Sequence, residues 1–287
     1  MIRRLRPKYR GLPVHRMCQL LGVSRALYYR RERDHTERER WEAVLRESIE
    51  KMILTFTGYG YRRVTKQLKR DGWQVNHKRV HRVMREGSLL CKTKRRYKAT
   101  TDSAHGQAEY PNLLAGLTVD ALDRVWVADI TYVRLPSGFC HVAMIMDSLS
   151  RKVVGWHMSR SLDASLCLTA LEKALAVRRP EPGWIHHSDR GTQYVSKEYV
   201  ERLKETGARI SMAGRGNPYE NAQAESFFRT LKREEVNLQR YEDVHEARAA
   251  VGRYIDEIYN LRRLHSAIGY LPPAEYEHTF VPEHMSV

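Results

Sequence analysis

With 287 residues, 42% of them apolar, the chain is long enough for two compact units and a tail, with a real core to bury. Its formal charge of +16 is unevenly placed: residues 1–110 carry 28 Lys and Arg against 11 Asp and Glu, a net +17, whereas residues 111–287 carry 22 against 23, a net −1. That confinement suggests a basic nucleic-acid-binding module joined to a nearly neutral domain with another task, and the absence of CxxC pairs, of a secretory leader and of any long apolar run argues against a zinc site, a disulfide framework, secretion and a membrane span.

In chain order, Val14 to Leu21 and Ser24 to Arg30 read as two short helices around Gly22, with Ser24 as N-cap of the second. The pattern fits a helix-turn-helix and fits an ordinary helical hairpin as well. Glu37 to Leu54 reads as a longer helix with Trp41, Val44, Leu45, Ser48, Ile49 and Met52 on one side. Gly58 and Gly60 end it, and a second pair follows over Tyr61–Lys69 and Asn76–Glu86, the latter capped by Asn76. Leu68, Val75, Val80 and Val83 supply the inner face of this pair. Arg62, Arg63, Lys66, Lys69, Lys78, Arg79, Arg82 and Arg85 are left largely outward, a surface suited to phosphates or to solvent. The expected division is a helical region over 1–56, a basic DNA-binding helical pair over 57–91 and a basic, then polar, linker over 92–118.

From residue 119 the logic changes to strands. Arg124 to Leu135, Phe139 to Asp147 and Lys152 to Met158 predict an antiparallel meander, with Pro136-Ser137-Gly138 as the first turn. A helix over Asp163–Val177, a strand over Trp184–His187, a helix over Lys197–Lys204, a strand over Ala208–Met212 and a long helix over Glu220–Glu235 follow. That order is the one expected of a ribonuclease-H-like α/β core with a mixed sheet, here over 119–240, preceded by the all-helical region. A helix over Asp243–Tyr259 and a proline-containing tail make up 241–287.

Three carboxylates stand where chemistry explains them better than structure does. Asp129 interrupts an apolar strand, where an uncompensated charge costs several kcal/mol. Asp189 follows a strand at its carboxyl end, and Glu225 lies one turn into the last helix of the core. Together they offer the oxygen ligands that Mg²⁺ or Mn²⁺ prefers, and phosphodiester chemistry uses such a set to hold two ions about 4 Å apart. The expectation is that Asp129 bridges both ions while Asp189 and Glu225 each complete one site. His187, Gln193 and Asn221 are placed to orient ligands or scissile phosphates, Lys232 to hold a DNA phosphate, and Arg215 and Asn217 to touch DNA from a Gly-rich loop. Each acid taken singly also fits a plain surface role, Glu225 most of all. His186 fits a core imidazole, and Asp147 fits either a member of the acidic set or a hydrogen-bonding turn residue.

The stretches "WVADITYV" at 126–133, "HSDRGTQY" at 187–194 and "GNPYENAQAESFFRTLKRE" at 216–234 closely resemble the three acidic motifs of the transposases encoded by the second reading frame of bacterial insertion sequences. The catalytic domain of that family is similar to retroviral integrase. Thirty-five residues separate Asp189 from Glu225, the spacing associated with the family, and "YGYRRVTKQL" near residue 60 and "YNLRRLHSAIGYLPPAEY" at 259–276 extend the resemblance over nearly the whole chain. Glu220 stands where many relatives have Asp. The resemblance implies a DNA transposase that cuts element ends and joins the exposed 3′-hydroxyl to DNA. It further implies two Mg²⁺ ions replaceable by Mn²⁺, terminal repeats and target DNA as substrates, and a first-reading-frame protein or its frameshift fusion as partner. A homo-oligomer on DNA, without membrane association, in the bacterial cytoplasm near the nucleoid, completes the expectation. A nuclease of the same fold that does not join strands, and a DNA-binding regulator without chemistry, are the alternatives.

Overall fold

A computed structural model describes residue 8 and residues 11–91, 110–214 and 221–279. The chain divides into two compact units, Met1–Cys91 and Lys92–Val287.

The first unit is helical: α1 (Val14–Leu20), α2 (Arg25–Thr55), α3 (Tyr61–Arg70) and α4 (His77–Glu86). Ser24 accepts a hydrogen bond from the Leu27 amide at 3.1 Å and Asn76 one from Lys78 at 2.9 Å, so both expected caps are made. One expectation fails: the short helix from Ser24 and the long one from Glu37 are a single 31-residue helix. The connecting residues Arg31 to Thr36 contain neither Gly nor Pro, and Arg33–Glu37 and His35–Glu39 pair side chains one turn apart from within that segment into the next turn. Leu45 and Ile49 of α2 are fully buried, as are Val64 and Leu68 of α3 and Val80 and Met84 of α4.

In the second unit, five strands form one mixed sheet of order β3-β2-β1-β4-β5. They are β1 (Val125–Leu135), β2 (Gly138–Asp147), β3 (Val153–Ser159), β4 (Ile185–Ser188) and β5 (Arg209–Met212). The first three form the expected antiparallel meander, while β4 and β5 run parallel to β1. Alternation assigns the two faces. Val125, Val127 and Val133 share a core with α7 (Ala222–Leu231) and α8 (Val244–Arg253), and Trp126 and Ala128 share one with α5 (Ala164–Val177) and α6 (Lys197–Glu205). Helix α5 lies so close to β3 that a Cβ on Gly155 would run into the Ala170 carbonyl oxygen, which only glycine avoids. The mixed-sheet α/β class with a helical region before it is therefore the class expected from the sequence.

Two features depart from the expected helices. After Leu231 and after Arg253 the backbone widens into π turns, Lys232–Val236 and Tyr254–Tyr259. The C-terminal segment is also no simple tail: Leu264 is fully buried and Pro273–Thr279 forms helix α9. Proline serves there as a helix-starting residue, its missing amide proton falling where a helix needs none.

Candidate active site

The register of β1 against β4 brings two of the acids together. Val125 pairs with Ile185, Trp126 with His186 and Val127 with His187. Carried two residues further, the same offset sets Asp129 beside Asp189, at the carboxyl end of β4. Odd-numbered positions of β1 face α7, so Asp129 is directed to the face on which Glu225 lies, one turn into that helix. The burial of Ala224, Phe227, Phe228 and Leu231 against the sheet fixes this helix and thus the glutamate. Parallel pairing and amphipathic packing together converge three acids from three elements.

Their electrostatics are those of unneutralised neighbours. Asp129 is half-buried and accepts from the Ile130 amide at 2.8 Å. Burial, then repulsion from Asp189 and Glu225, pushes its carboxyl up to about 8 against the pull of that amide and of Lys232. Asp189 is reached by solvent, yet the protein mass around it raises its carboxyl too; its Oδ1 accepts from the Gly191 amide at 3.0 Å. A Cβ on Gly191 would come within 3.0 Å of the same oxygen. Glu225 has Arg229 one turn away at 4.0 Å. Lys232, in the π turn, is half-buried; desolvation lowers its ammonium while Asp129 opposes that shift, and its Nζ lies 4.1 Å from the Tyr132 ring centroid.

The supporting residues fall into distinct settings. His187 is buried with its Nδ1 2.8 Å from the Ser211 hydroxyl, a hydroxyl that also accepts from the Leu113 amide. Asn221 is buried at the start of α7 and its Nδ2 donates to the Ala128 carbonyl at 3.4 Å, which ties Glu225's helix to the residue before Asp129. Its Oδ1 has no hydrogen-bond partner among the described residues. Gln193 donates to the Leu162 carbonyl at 2.8 Å and so braces the loop after Asp189. Arg215 and Asn217 lie outside the described residues, as does Glu220.

Two ambiguous residues resolve as structural. Asp147 is fully buried and accepts from the amides of Asp123, Leu149 and Ser150. His186 is a core imidazole whose Nε2 lies 2.8 Å from the Tyr199 hydroxyl; burial drives its pKa down to about 3. A further pair escaped sequence reasoning. Glu234, in the same π turn as Lys232, receives Arg263 on both carboxylate oxygens at 2.7 and 2.8 Å and the Tyr254 hydroxyl at 2.9 Å, all buried. Its only signal was an arginine within "YNLRRLHSAIGY", with nothing local to name the partner.

In the helical unit, Arg62, Lys66 and Lys78 are exposed. Arg63 is half-buried with its guanidinium carbon 6.0 Å from the Tyr59 ring centroid. Arg79 and Arg82 turn inward to α2: the first stacks at 5.0 Å over Trp41 and the second pairs with Glu42.

Among the described residues no three His, Cys, Asp or Glu side chains already close into a metal cage. The donor set nevertheless fits a hard divalent cation: Asp129 is held between burial and two acidic neighbours, and the buried amide oxygen of Asn221, on the residue bonded to the Ala128 carbonyl, has no partner among the described residues.

Known proteins match stretches of the chain that include these residues. Two integrase core domain families match residues 120–218 and 206–273, and an HTH-like domain family matches residues 39–97. The chain is 37% identical to the insertion element IS600 uncharacterized 31 kDa protein of Shigella sonnei, over 92% of this chain and 98% of that protein. It is 36% identical to the transposase for insertion sequence element IS904 of Lactococcus lactis, over 88% and 98%. The HTLV-2 integrase catalytic core domain in complex with magnesium overlays with a TM-score of 0.42 at 12% identity, covering 54% of this chain and 97% of that one.

Proposed function

The chain belongs to the insertion-sequence transposases of the second-reading-frame type, built on an integrase core domain, and from that premise we propose that Asp129, Asp189 and Glu225 are its catalytic, metal-holding carboxylates. The enzyme is a polynucleotidyl transferase that cleaves DNA at insertion-element ends and transfers the exposed 3′-hydroxyl to DNA. The observation that carries the residue assignment is the convergence of the three acids, felt by Asp129 as a carboxyl raised to about 8 by its burial and its two acidic neighbours.

In this reading Asp129, Asp189 and Glu225 would together hold two Mg²⁺ ions, replaceable by Mn²⁺. The bound ions supply charge neutralisation at the scissile phosphate and a lowered pKa for the attacking hydroxyl. The chain's own side chains position the reactants. Lys232 holds a phosphate beside Asp129, Gly191 keeps the approach to Asp189 open, and Asn221 fixes the start of Glu225's helix against β1. His187 and Gln193 brace the strand end and loop that carry Asp189. The exposed cations Arg62, Lys66 and Lys78, with Arg63 beside them, bind the DNA backbone, as do Arg215 and Asn217 near the catalytic helix.

The unit boundaries proposed are a helical region over 1–56, a DNA-binding pair over 57–91, a linker over 92–118, the catalytic core over 119–240 and a C-terminal segment over 241–287. Two element ends must be held together, so the protein acts as an oligomer on DNA, with a first-reading-frame protein or its fusion as partner, in the bacterial cytoplasm near the nucleoid. No helix among the described residues is long and apolar enough to cross a membrane.

A strand-transfer assay on labelled terminal-repeat duplexes with Mg²⁺ tests the assignment. Joined product from the intact chain and a loss of about 10³-fold or more with Asp189→Asn are expected, the scale on which preorganised electrostatic groups act. Product undiminished by Asp189→Asn would remove Asp189 from the catalytic set; cleavage without joining would favour the nuclease.

A further inference from the structure

The sheet face that carries α5 is covered over only part of its length. Even positions of β1 and odd positions of β2 share this face, and near its middle Ala128, Ala143 and Ile145 are buried beneath α5. Toward the β1–β2 turn the same face carries Tyr132 opposite His141 and Arg134 opposite Phe139. Tyr132 is 49% exposed and Phe139 54%, their rings edge to face at 5.5 Å. Scattered exposed aromatics need no explanation, but this pair lies between two cationic side chains, Arg134 and Lys232. Arg134 is exposed and in no ion pair among the described residues, and the His141 Nδ1 has no hydrogen-bond partner there. Lys232 reaches the Tyr132 ring from the opposite face, a path left open because β4 pairs with β1 only as far as Val127.

We propose that this end of the hairpin is a binding platform for an unpaired DNA strand, with bases stacking on Tyr132 and Phe139 while Arg134 and Lys232 take the adjoining phosphates. Exposed aromatic faces interleaved with cations are what single strands require, because an unstacked base offers its π-face to any ring and its phosphates to any nearby cation. In a paired duplex those base faces are occupied. Position selects the ligand as well. Tyr132 is three residues from Asp129 along an extended strand, about 10 Å at ~3.3 Å per residue, or about three stacked nucleotides at ~3.4 Å each. A strand whose phosphate lies at Asp129 therefore arrives at the platform within a few nucleotides, and Lys232 is shared by both places. The proposal rests on the transposase reading, since it assumes that Asp129 handles DNA.

Photo-crosslinking of the full chain to a duplex with an unpaired end, carrying 5-iododeoxyuridine in that end, tests it. Adducts on the peptide containing Tyr132 or Phe139 are expected. They should fall about tenfold or more, the scale of one lost stacking contact, when Tyr132→Ala and Phe139→Ala are combined, and return with Tyr132→Trp and Phe139→Tyr. The exposure of both rings leaves the core of the double variant intact. Adducts confined to other peptides, or undiminished in the double variant, overturn the proposal. So does a double variant that crosslinks normally but sediments as a smaller oligomer, which would make the face a contact between copies. Crosslinking needs no chemistry at Asp129, and Asp189→Asn should leave it intact. A chain that forms these adducts yet joins no strands therefore fails the transposase reading alone, and one that joins strands without them fails the platform alone.

Discussion

Asp129 occupies a strand position that its neighbours Val127 and Val133 fill with apolar bulk. The cost of placing a carboxylate there appears as a carboxyl raised to about 8. A raised acid binds more protons folded than unfolded between its unfolded value near 3.8 and about 8, so its favourable contribution is present at low pH and lost as pH rises through that window. In divalent-free buffer, Asp129→Asn should therefore melt at a higher temperature than the parent chain at pH 8.5. The gain should shrink as pH falls and vanish only near pH 3.8, with each kcal/mol relieved worth roughly 2–4 °C. Added Mg²⁺ should raise the parent's melting temperature and leave the variant's nearly unchanged. Equal melting temperatures at pH 8.5 would show that Asp129 is not held in the environment described.

Helix α7 is extended by a π turn, and that turn carries two residues of opposite fate. Lys232 faces the acids and Tyr132, whereas Glu234 is locked by Arg263 and Tyr254. Insertions of this kind in helices often accompany functional sites, because one extra residue re-aims the side chains that follow. Removing one member of a buried, hydrogen-bonded ion pair strands the other, at a cost of about 3–5 kcal/mol. Glu234→Gln should destabilise the chain by that order in urea unfolding at pH 7. The carboxyl of Glu234 is held down to about 2, Arg263 overcoming the upward push of burial. A depressed acid contributes stability above its unfolded value, 4.5, and loses it as pH falls toward 2. The difference between Glu234→Gln and the parent should accordingly narrow between pH 4.5 and 2. A constant difference across that range would mean that packing, not charge, accounts for the effect.

Across the whole molecule, charge is divided along the chain, net +17 over residues 1–110 and net −1 over residues 111–287. The net +17 of residues 1–110 predicts that the salt dependence of DNA binding originates there. These cations differ in their surroundings. Arg62→Ala and Lys78→Ala, at exposed positions, should each reduce the slope of log K against log salt by about 1 in an anisotropy titration. Arg79→Ala and Arg82→Ala should leave the slope nearly unchanged and lower thermal stability instead, since they remove the contacts to Trp41 and Glu42. Equal slope losses at all four positions would contradict that division.

Much of this was legible in the amino-acid order because it is local. Strand alternation in 125–135, the caps Ser24 and Asn76, the Pro136-Ser137-Gly138 turn and the partition of charge depend on residues a few places apart, and so did the candidate acids, each conspicuous against its neighbours. The unbroken helix Arg25–Thr55 was missed because no apolar stripe runs through Arg31 to Thr36, although that segment holds no Gly or Pro to end a helix. What only the tertiary structure decided joins distant positions. The register that sets Asp129 beside Asp189 spans sixty residues, the Glu234–Arg263 lock spans 29, and the inward turn of Arg82 to Glu42 spans 40. Periodicity states which face a side chain takes, but a partner across the fold is chosen by packing and strand register, which no local pattern encodes.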